Sequence, residues 1–258
     1  AYIAGDGIAV VDVSDPAAPE LVTTLQGPGS DDTIETLHAV ETPERSVLVA
    51  SRYGMVSDFS LTNRAPVDVY DVSDCRVPQR TATFHLPQAS HNLTLSADGT
   101  RVWSTLPLQA ADLTDLSNPQ YLGNLEEDLR ARGTFQLQYA HEAWPSEDGR
   151  RLYIGGQMAG DEVSYVLDVS RWPQEPVRVV SRIDGPGHSI RTATIDGRRY
   201  LLRSDESVVS PTANACLPSL FTPVGGVAEP RLTDITDETA PRDVGHLGLD
   251  INRPEHCV

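Results

Sequence analysis

Four histidines, His38, His91, His141 and His188, each stand near the start of a similar stretch of sequence. The stretches are LHAVETPERSVLVASRY from Leu37, SHNLTLSADGTRVWST from Ser90, AHEAWPSEDGRRLYIGGQ from Ala140 and GPGHSIRTATIDGRRYLLRSDE from Gly185. Imidazoles that recur at one place in a repeated unit, and so converge on an axis, are a ligand set for iron, copper, zinc or manganese. The same imidazoles without a metal can act as general acid and base. Charged residues accompany them: Glu142 follows His141, and the second halves of the stretches carry Arg52, Arg203 and Glu206. Arginine clamps a carboxylate or phosphate through two parallel N–H groups, and a glutamate beside an imidazole orients its N–H or takes a proton itself. The plainer alternative is that these charges pair with one another.

The elements that must position these residues are hairpins. Three of the four stretches place an Asp-Gly pair (Asp98-Gly99, Asp148-Gly149, Asp196-Gly197) between two extended runs. Such a pair marks a tight hairpin, because the turn needs positive φ. A second phrase alternates with the first: VVDVSDPAAPELVTTL, VYDVSDCRVPQRTATF, AADLTDLSNPQYLGNL, VLDVSRWPQEPVRVVS and LTDITDETAPRDVGHL. Each reads as an apolar strand ending in aspartate, a turn whose Asp, Ser and Thr side chains bond their own backbone, and a second strand. The aspartates are Asp12, Asp71, Asp112, Asp168 and Asp234, separated by 59, 41, 56 and 66 residues. A head hairpin followed by a tail hairpin predicts one four-stranded antiparallel sheet per repeat, and this period predicts an all-β fold, a β-propeller. A β-sandwich is the competing arrangement, but it gives no reason for a histidine at each repeat. About five repeats are visible. The expectation is a single propeller domain over 1–258 that starts and ends mid-blade, with six or seven blades if the chain is a fragment.

The tail phrases IAVVDVSDPAAPELV, VYDVSDCRVPQ and LTDITDETAPRDV resemble those of the bacterial LVIVD-repeat proteins. The resemblance implies a propeller, often exported, and carries little about function. The chain departs from that pattern in having fewer repeats and long inserts after Tyr53 and Ser207. There is also a similarity of architecture, not of sequence, to carotenoid-cleaving oxygenases, in which four propeller histidines hold iron.

Composition narrows the chemistry. The formal net charge over 258 residues is −17, and all 20 basic residues are arginine. So acidic a surface repels phosphate backbones, which argues against nucleic acid and anionic membranes as partners. Without lysine there is no Schiff-base chemistry. No apolar run has the length of a membrane span. No P-loop, dinucleotide fingerprint or Gly-x-Ser-x-Gly elbow is present, so no nucleotide cofactor is expected. Cys216 and Cys257 flank the last segment and are expected to form a disulfide, leaving Cys75 free, which suits a secreted, periplasmic or cell-surface protein.

The residues therefore point to a small-molecule site, for a substrate that arginines would favour as an anion, at one end of the propeller channel. In the leading form His38, His91, His141 and His188 hold a metal, and Glu142, Glu206, Arg203 and Arg52 carry the surrounding chemistry of an oxidoreductase or lyase. A metal-free form uses histidine, arginine and glutamate for isomerase, cyclase or lyase chemistry. A third reading, from another class, makes the propeller a scaffold whose loops bind a protein partner.

Overall fold

In a computed structural model the chain is antiparallel β, and the structure describes residues 1–25, 33–53, 66–88, 90–133, 140–156, 163–185, 187–204 and 230–247. It divides into two compact units, Ala1–Leu125 and Glu126–Val258.

The first unit holds three sheets. In the first, β1 (Tyr2–Ala4), β2 (Ile8–Asp12) and β3 (Glu20–Leu25) pair in chain order. The second is β4 (Thr33–Glu41), β5 (Ser46–Tyr53), β6 (Pro66–Asp71) and β7 (Gln79–His85), again in chain order. The third is β8 (Leu93–Leu95), β9 (Arg101–Ser104), β10 (Gln109–Asp112) and β11 (Gln120–Asn124). The second unit opens with most of a short helix, α1 (Leu125–Ala131). Two four-stranded sheets follow. One is β12 (Ala140–Pro145), β13 (Arg151–Gly156), β14 (Val163–Asp168) and β15 (Arg178–Asp184); the other is β16 (Ser189–Ile195), β17 (Arg198–Ser204), β18 (Arg231–Asp234) and β19 (Arg242–His246). Each sheet is a meander, as in a propeller blade.

The tail phrase explains why the blades repeat. Asp12, Asp71, Asp112, Asp168 and Asp234 are the last residues of β2, β6, β10, β14 and β18. In each, one carboxylate oxygen accepts the N–H two residues on, from Ser14, Ser73, Thr114, Ser170 and Thr236. The Ser14 hydroxyl and N–H, with Arg76 adding to them, hold the Asp12 carboxyl down to about 2. A bulge falls at the same place in all five blades, one to two residues before that aspartate: Val10/Val11, Val69/Tyr70, Ala110/Ala111, Val166/Leu167 and Leu232/Thr233. Extra residues in a strand raise its local twist, which suits an outer strand that must turn away from its blade.

Alternating apolar residues pack sheet against sheet. In the first unit Val47, Val49, Val67 and Val69 of one blade meet Leu93, Leu95, Val102 and Ala111 of the next, all buried. In the second unit Tyr153 and Val166 meet Ile190, Leu201 and Ile235. Polar pins run alongside. Arg45 donates to the carbonyls of Gly99, Leu113 and Thr114 in the following blade at 3.0, 2.9 and 2.8 Å. Glu238 accepts from Arg151 at 2.7 Å and from the Tyr153 hydroxyl at 3.1 Å. Within the units the first strands lie side by side, β4 with β8 and β12 with β16. His38 and His141 lie on β4 and β12, and His91 and His188 just before β8 and β16.

Candidate functional site

The ladders give a frame in which the four histidines can be compared. The residue opposite each tail aspartate is Val47, Arg101, Arg151 or Tyr200. Its partner on the first strand is Val40, Ser96, Ser146 or Ala193. Five residues before these stand Glu35, His91, His141 and His188. Three of the histidines thus share one register position, and Glu35 takes it in the remaining blade. His141 and Glu35 each occupy a bulge, between Ala140 and Glu142 and between Ile34 and Thr36. His91 and His188 lie just before β8 and β16.

His38 sits three residues further along, level with Trp144 and Arg191 rather than with the other histidines. Its Nδ1 accepts the Leu95 N–H at 3.0 Å, so its proton is on Nε2 when the ring is neutral. Two residues earlier, the Thr36 hydroxyl accepts the Leu93 N–H at 3.2 Å. Alternate side chains of β4 therefore satisfy alternate N–H groups of β8, donors that no strand pairs. His38 has a structural task.

The second unit repeats the device with different residues. Glu142, buried and equivalent to Thr36, accepts the Ile190 N–H at 2.6 Å and forms an ion pair with Arg191. The Arg191 guanidinium carbon lies 4.1 Å from the centroid of the Trp144 ring. His141 Nδ1 meets the carbonyl oxygen of His188 at 3.0 Å. A carbonyl only accepts, so Nδ1 carries the proton and Nε2 the lone pair of the neutral ring. The two imidazoles are in contact, with centroids 3.5 Å apart and planes at 31°.

Glycine permits this approach. A Cβ built on Gly155 would lie far inside van der Waals contact with the Gly187 carbonyl oxygen, and one on Gly187 would lie 2.5 Å from the buried Ser164 hydroxyl. Backbone therefore packs on backbone beside His188, which the sequence signals only as Gly155-Gly156 and Gly185-Pro186-Gly187.

The other expected site residues have different surroundings. Arg203 is fully buried; it donates to Thr233 at 2.9 Å, to Asp243 at 2.7 Å and to the Asp184 carbonyl at 3.3 Å. Burial pulls its pKa down, against the Asp243 charge. It crosses from β17 to β18 and β19 and holds the blade together. Glu206, Cys216, Cys257 and the side chain of Arg52 lie outside the described residues. Among the described residues no three His, Cys, Asp or Glu side chains are grouped to hold a metal ion, and a ring-on-ring pair of imidazoles is not by itself a chelate. No helix among them is long and apolar enough to cross a membrane.

Comparison with solved structures places the fold. A protein from Bacteroides uniformis, provisionally assigned as a 6-phosphogluconolactonase, is 14% identical with a TM-score of 0.61, over 96% of this chain and 68% of its own. Two structures of Sqt1 from Chaetomium thermophilum are 12% and 13% identical with TM-scores of 0.55 and 0.57, over 99% of this chain and 56% and 57% of theirs. The chain therefore spans little more than half the length of Sqt1. At such identities the likeness is one of fold alone. A search of curated proteins gives no match. The LVIVD repeat family model matches residues 1–26, the segment that holds the first tail phrase and its Asp12 turn. The chain is thus a β-propeller fold with an LVIVD repeat at its first blade.

Proposed function

We propose that the second unit carries a small-molecule site built on the imidazoles of His141 and His188, and that it works by acid–base chemistry. The observation that supports this reading is the pairing itself: two imidazoles in contact, one with its tautomer set by a backbone carbonyl. His141, protonated on Nδ1, keeps its lone pair on Nε2. It takes a proton from the substrate, and the adjoining His188 ring returns one, as an isomerisation or elimination requires. Glu142 does not act as base here, because Ile190 and Arg191 occupy its carboxylate; it positions the strand that carries His188.

A second reading keeps a transition metal, iron, copper, zinc or manganese, on the histidines expected from the sequence, His141 and His188 among them. Elemental mass spectrometry on protein purified without an affinity-metal step separates the two: stoichiometric metal that His141→Ala removes would favour the second. The family resemblance supports export for either.

The test is a thermal-shift screen of small metabolites against the parent and a His141→Ala/His188→Ala double variant. A ligand at a hundred times its Kd adds about 2.7 kcal/mol to the stability of a protein with its site intact. We expect hits that raise the parent's Tm and leave the double variant's unchanged. Hits that stabilise both equally, or binding of protein partners through the inserts after Tyr53 or Ser207 with no small-molecule hit, would replace this reading with the scaffold.

A further inference from the structure

The geometry points to Arg191 as the carboxylate anchor of this site, and we infer that its ligand is a planar, unsaturated carboxylic acid. The inference rests on the small-molecule reading of His141 and His188 and adds the ligand's chemical class.

The guanidinium is held from one end. Nη1 donates to the Glu142 carboxylate and, at 2.7 Å, to the Ile190 carbonyl, while Nε and Nη2 have no partner among the described residues. The Nε–Nη2 edge presents two parallel N–H groups at the spacing of a carboxylate's oxygens. The side chain is 48% exposed, so that edge can be reached from solvent.

Two neighbours select the ligand further. The Trp144 ring beneath the guanidinium fixes its plane and gives an aromatic surface beside it, which suits a flat, unsaturated group. The Glu142 carboxylate already balances the guanidinium charge. The pair carries no net charge, so a ligand is held by the two directed N–H groups rather than by a long-range field, and a flat two-oxygen acceptor matches them.

The probe is trans-cinnamate, titrated by calorimetry into the parent, Arg191→Gln, and the His141→Ala/His188→Ala double variant, with cinnamamide and inorganic phosphate as controls. Melting curves confirm that each variant is folded. The expected result is saturable cinnamate binding to the parent, weakened at least about tenfold by Arg191→Gln and by the change to cinnamamide, as for loss of a charge-assisted hydrogen-bond pair. Saturable phosphate binding that Arg191→Gln removes would overturn the carboxylate class in favour of a general anion site. Equal cinnamate affinity in the parent and Arg191→Gln, with loss in the histidine variant, would remove the anchor and leave the small-molecule reading standing. Cinnamate binding unaffected by either variant would overturn both, and no binding to the parent would overturn the ligand class.

Discussion

Asp243→Ala is expected to cost about 3 kcal/mol of unfolding free energy, because it leaves a fully buried arginine without its carboxylate. Asp243 receives Arg203 at 2.7 Å, the Thr233 hydroxyl at 2.6 Å and Arg231 at 3.1 Å. Its side chain is 33% exposed, so the estimate is set at the lower end of the range for breaking a buried pair. Arg203→Met removes the buried charge with its partner's reason for being there, and its cost should be smaller; the double variant should lose less than the sum of the two. The pH dependence has a definite sign. Burial raises the Asp243 pKa, but the Thr233 hydroxyl and the Arg203 guanidinium outweigh it and hold the group below the usual carboxylate range. A depressed folded-state pKa stabilises fully above the unfolded value of about 3.9 and is lost as pH falls through the folded value. Urea unfolding should therefore show the full difference between parent and Asp243→Ala near neutral pH and a shrinking one below about pH 4. A difference that did not change with pH would mean that the carboxylate's charge is not what stabilises Arg203.

Gly155→Ala is expected to destabilise by about 2–3 kcal/mol, the cost of forcing an extra methyl into closed packing, and to do more to the site than to the fold. The new Cβ meets the Gly187 carbonyl oxygen, which is backbone and cannot swing aside as a side chain would. The segment must move, and His188 is the next residue. The His141–His188 contact should open, and any ligand found by the thermal-shift screen should lose affinity. Gly149→Ala is a useful control: its Cβ meets nothing within 4 Å, and the cost there comes only from a φ of +67°. Similar ligand affinity in Gly155→Ala and the parent would show that the imidazoles do not depend on this packing.

Most of the blade pattern is legible because it is written in local turn chemistry. The five tail aspartates end the last strand but one of each sheet, since a side chain that bonds the N–H two residues on does so in any environment. The Asp-Gly pairs form the hairpin turns for the same reason, with φ of +67° at Gly99 and Gly149 and +75° at Gly197. Register across hairpins is less legible. Val40 and Val47 are followed by two further ladder rungs before the turn, as are Ala193 and Tyr200, whereas Ser96 and Ser146 close on theirs directly. Aligning the stretches by histidine alone therefore places His38 with residues that the ladder sets three positions away. Arg203 illustrates the other gap. Its position in the run resembles that of a rim residue, but whether an arginine faces solvent or crosses a sheet depends on Thr233 and Asp243, distant in sequence. The His141–His188 contact likewise depends on two close-packed glycines, and no spacing rule gives that.

His141 and His188 of the second unit form a working pair of imidazoles, while His38 serves the backbone. Long-range nitrogen–proton NMR of the histidine side chains tests it directly, since the nitrogen shifts report which ring atom carries the proton. The expected result is His38 protonated on Nε2, His141 protonated on Nδ1, and movement of the His141 and His188 signals, but not those of His38, when trans-cinnamate is added. His141 protonated on Nε2, or a ligand response confined to other histidines, would contradict it.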